Sequence, residues 1–220
     1  SKDFKKYKLL TIIELTSACI FTLLNLSFHA DISLLAFPIS VIYLALTCWF
    51  LFKKLYIDTD GSRIYAAIKL NEYLPYLFFI TFIIRRAGNT GTPFIVDVFA
   101  VISWFVVFVL AYFNSRVLYP AKNAKIVQGW ALAPLERKFK GGAKVLFEIA
   151  DWIDAFFWSI FTVLIFQIFL MQLYEIPSES MVPTFLIKDR VFVSKIDCGP
   201  KFPLTEVGLP NFRKYKRGDT

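Results

Sequence analysis

Five long apolar runs separated by short polar segments constrain this chain more than any other feature. They lie near residues 9–28, 32–52, 64–84, 93–113 and 152–173. A run of roughly 20 apolar residues is what an α-helix needs to cross the hydrocarbon core of a bilayer. The last run, 152–173, would extend about 33 Å as a helix at 1.5 Å per residue. The third run is the weakest, because Lys69, Asn71, Glu72 and Pro75 interrupt its first half and only Leu74–Ile84 is strongly apolar. The overall content agrees, with 57% hydrophobic residues where a soluble domain holds about 45–50% by a looser count.

The charges indicate how the runs are oriented. The formal net charge is +8, and Lys and Arg sit between apolar runs rather than in a patch interleaved with aromatics. Nucleic-acid binding is therefore set aside in favour of topology signals at the inner membrane face. Lys2, Lys5, Lys6 and Lys8 precede the first run, and Lys53, Lys54 and Arg63 separate the second from the third. A basic loop, 114–144, carries Arg116, Lys122, Lys125, Arg137, Lys138, Lys140 and Lys144 against one acid, Glu136. The intervening loops hold no basic residue in the first case, and Arg85 with Arg86 in the second. With five spans and the N-terminus inside, residues after Tyr174 lie outside; three spans would give the same final orientation. Asp97, one helical turn inside the fourth run, is read as a carboxylate near the water interface. Glu14 and Glu72 are the other acids within apolar runs.

Few residues offer metal or triad chemistry. His29 is the single histidine, and Cys19, Cys48 and Cys198 form no CxxC. No cofactor and no metal are implied. The first run is too long for a cleavable signal peptide, contains Glu14 and lacks a following A-x-A site.

After Tyr174 the composition turns polar and proline-rich, and Arg190–Lys195 alternates in the manner of a β-strand. The expected architecture is a polytopic α-helical region, 1–173, followed by the start of a mainly β extracytoplasmic catalytic domain, 174–220. Forty-odd residues rarely form a stable domain unaided, and the chain is expected to be the amino-terminal part of a longer protein.

A serine pair stands at the outer end of the last run. Ile176, Pro177, Ser178, Ser180, Met181, Pro183 and Thr184 resemble the nucleophile box of bacterial type I signal peptidases, the Ser/Lys serine proteases also called leader peptidases. Asp189, Val193 with Lys195, and Arg217–Asp219 follow at that family's spacing, and Trp152 and Asp154 resemble the segment before the box. The resemblance covers about residues 152–220. It implies that Ser180 is the nucleophile and that the Ser178 hydroxyl helps stabilise the oxyanion. Tyr174, Ile176, Pro177, Met181 and Phe185 fall where the family lines its substrate pockets. The general base, a lysine, lies in a later Lys-Arg box and is not in this chain; Lys195 belongs to the wrong box. Glu179 and Lys188 stand where glycine is frequent in the family, and Phe185 is bulkier than the usual leucine.

The implied function is a membrane-bound serine endopeptidase of the bacterial inner membrane. It would cut signal peptides with small residues at −1 and −3 from exported preproteins, with lipid and possible secretion machinery as partners. Two other readings compete: a non-catalytic multi-span protein such as a transporter or assembly factor, which leaves the Ser180 box unexplained, and an inactive signal peptidase relative. The chemistry agrees with the family. A serine hydroxyl is a poor nucleophile until a base takes its proton, and a lysine can serve when burial disfavours its ammonium form.

Overall fold

A computed structural model describes residues 2–26, 31–52, 61–88, 93–122, 142–178, 182, 184, 186–197, 199–208 and 210. The chain divides into two compact units, 1–148 and 149–220. His29, Lys53, Lys54 and residues 123–141 of the basic loop lie outside the described residues.

The first unit is helical. It contains α1 (Lys2–Leu24), a 3-10 turn (Ile32–Leu35), α2 (Ala36–Phe50), α3 (Gly61–Gly88) and α4 (Phe94–Phe113). Each of the first four apolar runs thus becomes a helix, the form that satisfies every backbone group within one segment. The weak third run is helical throughout: α3 passes through Pro75 without ending. Its polar residues are absorbed by neighbours. Glu72 pairs with Lys69 at 3.2 Å and with Arg116 at 2.8 Å, and Asn71 Nδ2 donates to Ser115 Oγ at 3.2 Å.

Four described helical stretches are long and apolar enough to cross a membrane: Ile32–Phe50, Ala66–Gly88, Phe94–Ala121 and Trp152–Phe169. The helix from the first run, α1, is not among these four. Phe28, the last residue of that run, lies outside the described residues.

Packing follows two seams, with α1 against α4 and α2 against α3, and α3 against α4 joins them. The bundle is apolar outside and partly polar inside. Leu23, Ile42, Trp49, Ile95 and Phe105 are exposed, while Glu14, Asn25, Ser40, Asn71, Thr81 and Asn114 are fully buried. That distribution is compatible with a membrane protein, where small and polar side chains join helices to one another and apolar ones meet lipid. Asn25 Nδ2 donates to Ser40 Oγ and Thr81 Oγ1, at 3.2 and 2.9 Å, linking α1, α2 and α3. Gly88 ends α3 against the turn capped by Asp31. A Cβ at Gly88 would lie 2.7 Å from Asp31 Oδ1, so the close approach requires glycine.

Two sequence expectations are corrected in this unit. Asp97 does not face water: it is buried and pairs with Arg85 at 2.9 Å and Arg86 at 3.5 Å. The two arginines expected to close the third run instead supply the cations that a sequestered carboxylate needs. The first residues of the polar stretch, Asn114–Lys122, are helical rather than loop. The chain continues from α4 through a π-helical segment, Asn114–Leu118, and a last α turn, Tyr119–Lys122. Asn114, Ser115 and Tyr119 are buried there, because partners on α1 and α3 take their polar groups.

A final helix, α5 (Gly142–Phe169), leads into strands β1 (Met171–Glu175) and β2 (Arg190–Ser194). It begins within the expected basic loop and ends four residues before Leu173. Met171–Leu173, read as the end of the last span, therefore belong to a strand.

Candidate active site

The second unit is organised by one antiparallel pair. Met171 lies opposite Ser194, Leu173 opposite Phe192 and Glu175 opposite Arg190 on one face; Gln172 opposite Val193 and Tyr174 opposite Val191 share the other. The pairing extends past both strands. At one end Lys195 N–H donates to the Leu170 carbonyl at 2.8 Å. At the other, Ile176 N–H donates to Asp189 O and Lys188 N–H to Ile176 O, each at 3.0 Å. Those last two bonds clamp the base of the loop that carries the serine box. The expected strand at Arg190–Lys195 is thus present as β2, while β1 was concealed because its Met and Leu continue the apolar run. The alternation Met171, Leu173 against Gln172, Tyr174 was the signal available for it.

The loop leaves the clamp through Pro177 and bends at Ser178, and both residues are exposed. It returns through Leu186, Ile187 and Lys188. Asp189 fixes the return: its carboxylate accepts from Leu186 N–H at 2.8 Å, and its own N–H donates to Leu186 O at 3.1 Å. Lys188 has φ of 70°. This is the left-handed region that glycine enters freely and a Cβ disfavours.

Of the expected site residues, Tyr174 is on β1 and exposed, Ile176 is half-buried at the clamp, and Pro177 and Ser178 begin the loop. Ser180, Met181 and Phe185 lie outside the described residues, as does Glu179. The structure therefore brings Tyr174, Ile176, Pro177 and Ser178 to one end of the hairpin. Exposed Val182, Leu186 and Ile187 give the loop an apolar surface, joined on the strands by Met171, Leu173 and Phe192. Beyond β2 the chain turns through Gly199, and Phe202 is buried with its ring 5.8 Å from that of Phe169. A bridge between Lys201 and Gly208 closes this turn. Among the described residues no group of three or more His, Cys, Asp or Glu could hold a metal ion.

A family model described as "Signal peptidase, peptidase S26" matches residues 149–220, from the middle of α5 through the whole hairpin unit. Residues 149–220 resemble the signal peptidase family. The chain is similar to Signal peptidase I of Buchnera aphidicola subsp. Schizaphis graminum, with 36% identity over 67 residues. Those residues are 30% of this chain and 22% of the relative. The corresponding protein of Buchnera aphidicola subsp. Acyrthosiphon pisum is 37% identical over 67 residues, 30% of this chain and 21% of its own. That of subsp. Baizongia pistaciae is 33% identical over 72 residues, 33% and 23% of the two chains. The chain thus matches less than a quarter of the length of each of these signal peptidases. No solved structure matches it.

Proposed function

We propose that this chain carries the nucleophile of a membrane-bound serine endopeptidase that removes signal peptides from exported preproteins. The observation that carries the reading is positional. The signal peptidase segment opens with an apolar helix, and Ser178 begins a clamped, exposed loop nine residues after that helix ends at Phe169. A scissile bond just beyond a membrane-embedded signal helix would arrive at that level.

In this reading Ser180 is the nucleophile, and the Ser178 hydroxyl is one donor to the oxyanion. Tyr174, Ile176, Pro177, Met181 and Phe185 shape pockets for small side chains at −1 and −3. The general base in this reading is a lysine, as in the Ser/Lys mechanism that the resemblance implies. An extended preprotein segment would add alongside a strand, with alternate side chains entering pockets. The acyl step joins Ser180 Oγ to the scissile carbonyl carbon, passes the serine proton to the base and expels the mature chain's amine, which is protonated; water then releases the signal peptide. The helices cross the bacterial inner membrane five times with the N-terminus inside, which follows the Lys and Arg asymmetry. The catalytic unit is outside.

Single-turnover cleavage of a purified preprotein by the full-length protein in detergent tests the assignment. Ser180→Ala is expected to abolish cutting while leaving insertion intact, because nothing replaces the atom that forms the acyl bond. Ser178→Ala is expected to slow it by about 10²–10³-fold with little change in substrate binding, since one oxyanion donor acts mainly in the transition state. A Ser180→Ala protein that still cuts would eliminate the serine mechanism. Topology has its own check: labels at Lys54, Gly88, Gly129 and Gly199 should report in, out, in, out.

A further inference from the structure

The turn that returns the serine loop to β2 adopts a backbone that its residues do not favour. Up to Glu175 and Arg190 the two strands pair residue for residue. At the next step Ile176 faces two residues instead of one. Its N–H donates to Asp189 O, while its carbonyl accepts from Lys188 N–H, each at 3.0 Å. Two residues against one make a β-bulge, and a first residue in the left-handed region marks the type that normally takes glycine there. Lys188, with φ of 70°, holds that place. The same residue is third in the turn 186–189, which Asp189 N–H closes by donating to Leu186 O at 3.1 Å. A type II turn also needs positive φ at its third residue.

A Cβ disfavours this conformation, so other contacts must hold it. The Asp189 carboxylate is placed to do so: it accepts from Leu186 N–H at 2.8 Å and ties the last residue of the turn to the first. Strained backbone persists where its surroundings over-determine it, and bulges beside active sites re-aim a neighbouring side chain. Opposite this bulge the chain leaves Ile176 through Pro177 to Ser178. Pro177 fixes its own φ, so the direction set at Ile176 is passed to Ser178 with little slack.

We propose that Asp189 is a positioning residue for the oxyanion donor: its carboxylate holds the bulge at Lys188, and the bulge sets where Ile176 presents Ser178. The proposal rests on the serine endopeptidase reading given above. Asp189 acts here through the backbone and touches no reacting atom. The turn needs an acceptor rather than a charge, so an amide oxygen in the same place serves as well.

The test is a double-mutant cycle in the full-length protein, read by single-turnover cleavage of a purified preprotein in detergent. Asp189→Ala should slow the cleavage step about tenfold, as small misplacements of a reacting group do, with the half-saturating preprotein concentration unchanged. Asp189→Asn, which keeps an acceptor, should stay within about twofold of the parent. In a Ser178→Ala background Asp189→Ala should slow cleavage no further, since the group it positions is gone. Lys188→Val, whose branched side chain resists positive φ, should reproduce the Asp189→Ala loss. An Asp189→Ala or Lys188→Val protein that cuts at the parental rate would overturn the proposal. So would an equal loss in both backgrounds, which belongs to general folding, or an Asp189→Asn protein as slow as Asp189→Ala, which belongs to charge. A Ser180→Ala protein that still cuts would instead remove the endopeptidase reading itself, so the two failures are distinct.

Discussion

The helical unit and the hairpin unit place their polar groups in opposite ways. In the first, Asp97 and Glu72 are buried and paired across helices, while many aliphatic and aromatic side chains, such as Ile42 and Phe105, are exposed. In the second, the charged pair Glu175 and Arg190 is exposed at 3.9 Å, and Phe192, 77% exposed, leaves its ring uncovered. The recognisable motif belongs to the loosely covered unit, whereas the unit without a motif carries the stricter polar pairing. The exposed Ser178 and the apolar surface of Val182, Leu186 and Ile187 suit the extended substrate proposed above. A buried charge such as that of Asp97 needs a partner in a low-dielectric interior.

The sharpest way to break this contrast is at the buried ion pair. Arg85→Met leaves Asp97 with Arg86 at 3.5 Å as its remaining cation, and should destabilise the bundle by about 3–5 kcal/mol. Adding Asp97→Leu should recover most of that loss. Thermal unfolding in micelles reads both variants, and an unaffected Arg85→Met chain would mean that the pair does not organise α3 against α4. A smaller effect is expected at the junction of α1, α2 and α3. Thr81→Val removes one of the two acceptors of Asn25 Nδ2 and should cost about 1 kcal/mol, the scale of an interhelical bond in a membrane. In the hairpin unit the signs change. Lys188→Gly should stabilise by about 0.5–1 kcal/mol by relieving the left-handed backbone, seen as slower amide exchange around Ile176 and Lys188. Glu175→Ala should shift stability by less than about 0.5 kcal/mol, the scale of an exposed ion pair.

Apolar run length made the helices legible, and alternation made β2 legible. What escaped was everything decided by a distant partner. Asn114–Lys122 looks like loop because Asn, Ser and Arg are polar in isolation. Only Glu14, a hundred residues away, and Asn71 and Glu72 on α3 explain why that stretch stays helical and partly buried. Asp97 was placed near water for the same reason, since nothing local indicates that Arg85 and Arg86 turn inward. At the serine box the motif was visible as residue types and spacing. The clamp of Ile176 with Lys188 and Asp189 was not, because it depends on backbone register between segments that the sequence separates by a loop. Lys188 is an intermediate case: the resemblance implies a glycine position there, and the positive φ gives that expectation physical content.

One contact in the bundle has an optical consequence. Trp104 Nε1 donates to the Pro75 carbonyl at 2.8 Å, and its indole stacks on Phe108 with ring centroids 5.3 Å apart. Trp104 is 5% exposed, whereas Trp49 and Trp152 are well exposed. Its emission therefore comes from a dry, hydrogen-bonded fluorophore at the seam of α3 and α4, shielded from quenchers dissolved in either water or lipid. Replacing the other tryptophans by phenylalanine would leave a chain whose fluorescence spectrum reports separation of those two helices directly. Opening of the bundle could then be timed without any attached dye.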